Sequence, residues 1–226
     1  MKTDLIVFDL DGTLVDSLED LTISLNHALG VHGFPLLTSE TVRQLVGDGA
    51  KNLVLRGVPE AFRPNGVADG TVGSVYGTFT RHYGDHLLDH TRAYPGVDET
   101  LAALEGCCRM CVLSNKGEAM SVRILEGLGI ARYFGGVYGG DSFATRKPDP
   151  GGFLEIMTRT GVRPGSTLVV GDSANDILGG RAAGAMTCGV LYGLKPEEVR
   201  AAVPDISIIT FPQLLEFVTC SSPKSS

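Results

Sequence analysis

Six short apolar runs, at 4–8, 109–114, 136–139, 166–170, 186–191 and 206–209, read as buried strands, and helical patterns separate most of them. The helical patterns fall at 96–105, 117–129, 149–160, 174–184 and 212–218. Parallel neighbours cannot be joined by a tight hairpin, so strands that alternate with helices predict βα units. The expected fold class is α/β, a three-layer, doubly wound parallel sheet. Pro148, Pro150 and Pro212 suit helix starts, while Gly127, Gly129 and Gly184 suit helix ends.

One segment breaks the alternation. Residues 16–88 contain no good strand and read as helices near 17–31, 39–46, 49–56 and 71–86, with 57–70 a loop. Leu18, Leu21, Leu25 and Leu29 form a helical stripe. The expected organisation is therefore an α/β core of 1–15 and 89–220, an inserted all-helical domain of 16–88, and a disordered tail of 221–226. Tyr94-Pro95-Gly96 marks the return to the core. An insert directly after the first strand is placed to close over the loop there and exclude water.

Composition narrows the partners. The chain has 226 residues, 43% of them hydrophobic, which is ample for a sizeable core. A net charge of −7 supplies no electrostatic footprint for nucleic acid. No apolar stretch approaches the roughly 18–20 residues of a membrane span. The first apolar run is four residues long and flanked by Asp4, Asp9 and Asp11, unlike a secretory signal, so a cytoplasmic protein is expected. Cys108 and Cys111 have Cys-x-x-Cys spacing, but they lie in or beside a strand-like run with no second Cys/His pair. They read as small apolar filler, not as a redox or metal motif.

The chemistry concentrates in four loops. Asp9-Leu-Asp11-Gly-Thr13 follows the run Leu5-Ile-Val-Phe8 and sets two carboxylates at the carboxyl end of a buried strand. Alone it also reads as an Asp-Gly turn. The others are Ser114-Asn115-Lys116, Arg146-Lys147-Pro148-Asp149-Pro150 and Gly171-Asp172-Ser173-Ala174-Asn175-Asp176. In a parallel sheet the strand ends share one edge, so these groups can converge. Asp9, Asp11, Asp172 and Asp176 would then repel one another unless a counter-charge were present. A hard divalent cation with oxygen ligands resolves the repulsion, and Mg²⁺ also shares phosphate oxygens. Lys147 adds fixed positive charge, and Ser114 and Asn115 add donors suited to a phosphoryl group.

Taken together, these four motifs resemble those of the haloacid dehalogenase (HAD) superfamily of phosphohydrolases, and the resemblance covers about residues 4–215. The helical insert stands where that family carries its C1 cap. Val46-Gly-Asp-Gly-Ala-Lys-Asn-Leu53 and Ser114-Asn-Lys116 are similar to the phosphoglycolate phosphatase branch. The resemblance implies that Asp9 is the nucleophile, forming an aspartyl-phosphate, and that Asp11 is the general acid and base. It implies Mg²⁺ held by Asp9, the Asp11 backbone carbonyl and Asp172, with Asp176 and Thr13 in supporting positions. Ser114 and Lys147 would hold the transferring phosphoryl group. Leu10, Asn115 and Lys116 would contribute to substrate binding, the first two through backbone N–H groups. In the cap, Gly47-Asp48-Gly49 reads equally as the start of a helix whose amino end suits a substrate carboxylate and as a plain loop-to-helix turn. Arg43, Lys51 and Arg56 are further carboxylate partners or solvated residues, and His27, His32, His82, His86 and His90 read as surface or packing histidines.

The expected activity is Mg²⁺-dependent hydrolysis of a small phosphorylated metabolite, 2-phosphoglycolate first, by a monomer or homodimer. A broad-range sugar-phosphate or pyrophosphate phosphatase and a β-phosphoglucomutase-like phosphomutase remain alternatives. A phospho-acceptor signalling domain fits less well, because such domains lack both the insert and an acid two residues after the nucleophile.

Overall fold

In the computed structural model, residues 3–63 and 70–218 are described, and the chain divides into two units. One is Ser17–Arg92; the other is formed by the chain on either side of it. The helical unit thus begins one residue after the expected boundary and ends four residues beyond it. Two short strands, β2 (Val15–Asp16) and β3 (Arg92–Ala93), lie at the two crossing points. Two residues are too few to carry an alternation, so neither strand was legible from the sequence. The expected tail at 221–226 lies outside the described residues.

The α/β unit is built on a six-stranded sheet. Its strands are β1 (Leu5–Phe8), β4 (Arg109–Leu113), β5 (Gly136–Tyr138), β6 (Thr167–Gly171), β7 (Met186–Val190) and β8 (Ile206–Ile208). Their order is β5-β4-β1-β6-β7-β8 and every pairing is parallel. The expected α/β class and parallel sheet are borne out. β1 is central: Leu5 pairs with Arg109 on one side and Thr167 on the other, and Phe8 with Val112 and Val170. All four β1 side chains are buried, as a strand covered on both faces requires.

Alternation along β1 divides the core between two faces. Leu5 and Val7 join Cys111, Leu113 and Val169 in packing against Phe153, Ile156 and Met157 of α7 (Gly151–Thr160). Phe8 points the other way, with its ring centroid 6.1 Å from that of Phe134 and 5.8 Å from that of Phe211. Four more helices complete the layers: α5 (Val97–Leu104), α6 (Glu118–Gly127), α8 (Ala174–Ala182) and α9 (Pro196–Ala202).

Two details correct the sequence reading. Helix α9 was not expected, since only Val199 of its seven residues is buried and it offers no apolar period. The expected helix at 212–218 is instead a 3₁₀ turn, Phe211–Glu216. Its buried residues, Phe211 and Leu214, are three apart and align in a three-residue turn.

The helical unit contains α1 (Leu18–Val31), α2 (Ser39–Leu45), α3 (Ala50–Gly57) and α4 (Gly70–Asp85). The leucine stripe of α1 is buried, as are Val72, Val75, Phe79 and Tyr83 of α4. Part of the expected loop at 57–70 is a 3₁₀ turn, Glu60–Phe62, and 64–69 lie outside the described residues. His27, His82 and His86 stack in series, with centroids 4.1 and 4.3 Å apart, so they are packing groups on α1, on α4 and just past the end of α4. The Asp20 carboxylate of α1 is buried and accepts hydrogen bonds from His90 N, Thr91 N and Thr91 Oγ1.

Candidate active site

The loops after β1, β4 and β6 leave three adjacent strands at the same edge of the sheet. Strand adjacency alone therefore brings Asp9 and Asp11, Ser114–Lys116, and Asp172 together, at the kind of strand-order reversal where open α/β sheets bind ligands. Lys147 comes from the segment between β5 and α7. Its Nζ lies 2.8 Å from Asp9 Oδ1 and 2.6 Å from Asp176 Oδ1. One buried ammonium thus bridges two carboxylates from different segments, the loop after β1 and the first turn of α8.

Asp9, Asp172 and Asp176 each place a carboxylate oxygen within 4.8 Å of the others. Burial is the largest influence on Asp9; Lys147 opposes it, Asp176 and Asp11 add to it, and the carboxyl rises to about 7. Burial, then Asp9 and Asp176, carry Asp172 well above the usual carboxylate range against the pull of the Leu194 N–H and Lys147. Burial alone would lower Lys147, but Asp176 and Asp9 overcome it and hold the ammonium charged. Oxygen donors crowded in this way suit a hard divalent cation.

The other expected residues have defined places. Asp11 Oδ1 lies 2.8 Å from Lys116 Nζ, so its carboxylate is paired within the site but outside the three-carboxylate cluster. Lys116 is held by its backbone: its N–H donates to Ser114 Oγ and its carbonyl accepts from Gly140 N. Asn115 Nδ2 donates to the Lys147 carbonyl, tying the loop after β4 to the lysine segment. Asp176 Oδ2 accepts from Ser173 N and Ser173 Oγ in a capping box that starts α8. Both Asp176 oxygens are therefore engaged, one by Lys147 and one by its own helix start. The Leu10 carbonyl accepts from Thr13, Leu14 and Val15 N–H, which curls the first loop. Thr13 Oγ1 is buried with no hydrogen-bond partner among the described residues.

Gly47, Asp48 and Gly49 belong to the helical unit. Gly47 and Gly49 have positive φ, Gly49 caps α3, and Asp48 Oδ2 lies 2.6 Å from Arg56 Nη1. Arg56 is thus engaged inside its own unit, and Arg43 pairs with Glu40 at 3.3 Å. Burial pushes the Cys108 and Cys111 thiols up to about 11, which fits apolar filler and not a reactive pair.

Three site neighbours escaped the sequence reading. Tyr192 Oη donates to the Thr13 carbonyl at 2.8 Å, Leu194 N donates to Asp172 Oδ2 at 2.8 Å, and Gly193 packs between them. Their position just after a strand-like run, on the edge shared by the other motifs, was the available signal. They carry no ionisable group of the kind that marked the other loops.

Comparison with known proteins agrees with this geometry. The family model for haloacid dehalogenase-like hydrolases matches residues 6–190. The phosphoglycolate phosphatase of Agrobacterium fabrum is 37% identical over 211 residues, covering 93% of this chain and 90% of its own. Phosphoglycolate phosphatase 1 of Pseudomonas aeruginosa is 38% identical, covering 84% of this chain and 70% of its own. A crystal structure described as a predicted phosphoglycolate phosphatase from Haemophilus somnus superposes with a TM-score of 0.90 at 33% identity, covering 96% of this chain and 98% of that one. The chain belongs to the haloacid dehalogenase-like hydrolase family and, within it, resembles the phosphoglycolate phosphatases.

Proposed function

We propose that this protein is a cytoplasmic, Mg²⁺-dependent phosphomonoester hydrolase that works through an aspartyl-phosphate, with 2-phosphoglycolate as its first-choice substrate. The observation that carries this reading is the cluster of Asp9, Asp172 and Asp176 around the Lys147 ammonium. The names of the relatives support the substrate.

The donor set fits the metal: carboxylate oxygens within 4.8 Å, with Asp9 and Asp172 lifted first by burial and then by neighbouring carboxylates, a repulsion that a cation would relieve. Asp9, Asp172 and the Asp11 carbonyl would hold Mg²⁺, which supplies charge neutralisation for the phosphoryl oxygens. An Asp9 oxygen attacks phosphorus, the phosphorus–oxygen bond to the leaving group breaks, and Asp11 gives its proton to the departing alkoxide. Asp11 then takes a proton from water as that water attacks phosphorus, which releases phosphate and restores the Asp9 carboxylate. Lys147 and the Ser114 hydroxyl stabilise charge on the transferring group, as do N–H groups of Leu10 and Asn115. Lys116 is the cation offered to the substrate anion; in the free protein Asp11 occupies it. Asp176 holds Lys147 in place.

Phosphate release from 2-phosphoglycolate, sugar phosphates, nucleotides and pyrophosphate, with and without Mg²⁺, tests the reading. Selective, EDTA-sensitive release from 2-phosphoglycolate that disappears in Asp9→Asn is the expected result. Preference for another ester would remove the substrate assignment alone. Turnover retained in Asp9→Asn would overturn the mechanism.

A further inference from the structure

The loop after β7 binds the two loops that carry the acidic cluster, and nothing in the reaction scheme above uses it. Tyr192 Oη donates 2.8 Å to the carbonyl of Thr13, in the loop that holds Asp9 and Asp11. Two residues on, Leu194 N donates 2.8 Å to Asp172 Oδ2, in the loop after β6. With Oδ2 engaged, Oδ1 is the Asp172 oxygen without a hydrogen bond among the described residues.

Gly193 makes the double contact possible. A Cβ built there would stand 2.3 Å from the Gly12 carbonyl oxygen and 2.4 Å from Asp172 Cβ. Gly12, at φ +85°, answers from the other side: a Cβ on it would stand 2.0 Å from Asp172 Oδ2. Two backbones and one carboxylate meet with no room for a methyl group, so the strap stays closed only while both residues are glycine. Burial and neighbouring acidic groups keep the Tyr192 phenol protonated, so it remains a donor at any working pH. Its ring also packs edge-on against Tyr94, with centroids 4.8 Å apart.

We propose that Tyr192-Gly193-Leu194 is a positioning strap that fixes the Asp172 carboxylate, and the Asp9 loop beside it, in the arrangement that binds the divalent cation. The strap touches neither substrate nor reacting atoms and acts through Asp172 and Thr13. Outer partners that orient a ligand's carboxylate typically contribute about ten- to a hundred-fold to metal affinity. This inference rests on the metal-dependent reading above.

The test is direct Mn²⁺ binding to the full chain by calorimetry and electron paramagnetic resonance, without substrate, for wild type, Tyr192→Phe, Gly193→Ala and Asp172→Asn. Gly193→Ala, which pushes the Leu194 N–H off Asp172, should weaken Mn²⁺ about ten- to a hundred-fold. Tyr192→Phe keeps the ring and loses one hydrogen bond, so a loss of about two- to ten-fold is expected. It also keeps the proposal testable if Gly193→Ala does not fold. In turnover, both variants should need more Mg²⁺ yet keep the wild-type KM for the phosphate ester once metal is saturating. Wild-type Mn²⁺ affinity in Tyr192→Phe and in folded Gly193→Ala, with Asp172→Asn impaired, would overturn the strap and leave the metal site standing. Absence of Mn²⁺ binding by wild type would remove the metal-dependent reading and the strap with it.

Discussion

Lys147 stands between Asp9 and Asp176, and its removal would leave buried carboxylates facing each other without compensation. Breaking a buried ion pair from one side costs about 3–5 kcal/mol. Lys147→Met is therefore expected to lower metal-free stability by that order, and, if Lys147 holds the transferring phosphoryl group as proposed, to lower turnover about a hundred- to a thousand-fold. Urea unfolding in EDTA and steady-state kinetics check the two effects separately. Asp9 behaves in the opposite sense. Its carboxyl is raised to about 7 by burial first, with Lys147 opposing and Asp176 and Asp11 adding. In the unfolded chain it ionises at about 3.9. Between those values the folded protein keeps a proton that the unfolded chain has released, so stability falls as pH rises through the window and stays lower above it. Asp9→Asn removes this contribution and leaves Lys147 paired with Asp176. Metal-free Asp9→Asn should exceed wild type by about 1–3 kcal/mol at pH 7.5, with the gap closing toward pH 4.5. Equal pH slopes for the two proteins would place the raised group elsewhere.

At the scale of elements, legibility followed chemistry and period. β1, β4 and β6 were plain because each is an apolar run ending in a polar loop, and their adjacency follows from parallel pairing. The strand-end carboxylates were legible because ionisable groups there are conspicuous, and Lys147 because it stands in the charged, proline-containing run Arg146-Lys147-Pro148-Asp149-Pro150. Leu194 was not, because its contribution is a backbone N–H that any residue except proline supplies. Helix α9 was missed because one buried valine in seven residues sets no period. The partners of Asp20 were invisible for a related reason: they lie 70 and 71 residues along the chain, and two of the three donors are backbone or hydroxyl groups of one residue, Thr91. This carboxylate fastens the end of the helical unit, past α4, back onto α1. Asp20→Ala should leave those donors unsatisfied in a buried place and cost about 2–3 kcal/mol. Thermal denaturation measures it. A cost below about 0.5 kcal/mol, the range of ordinary surface changes, would show that the clamp is replaceable by water.

For the whole molecule, the proposed cation site exists only in the folded chain, so a cation bound there would favour folding. Asp9 and the pair Asp172 and Asp176, one before α8 and one in its first turn, are separated by more than half the chain, and only folding brings their oxygens within 4.8 Å. A ligand that binds the native state alone stabilises it by about 2.7 kcal/mol at a hundred times its dissociation constant. For a chain of this size each kcal/mol moves the midpoint by about 2–4 °C. Saturating Mg²⁺ should then raise the melting temperature by about 5–11 °C at pH 7.5. The shift should be larger at pH 7.5 than at pH 5, because a proton on Asp9 competes with the cation below about 7. Asp172→Asn should lose most of it, and equal ionic strength from NaCl should not reproduce it. Scanning calorimetry across that set separates site binding from screening. If NaCl matches Mg²⁺, or if Asp172→Asn keeps the full shift, the cluster is a structural knot held by Lys147 and not a cation site.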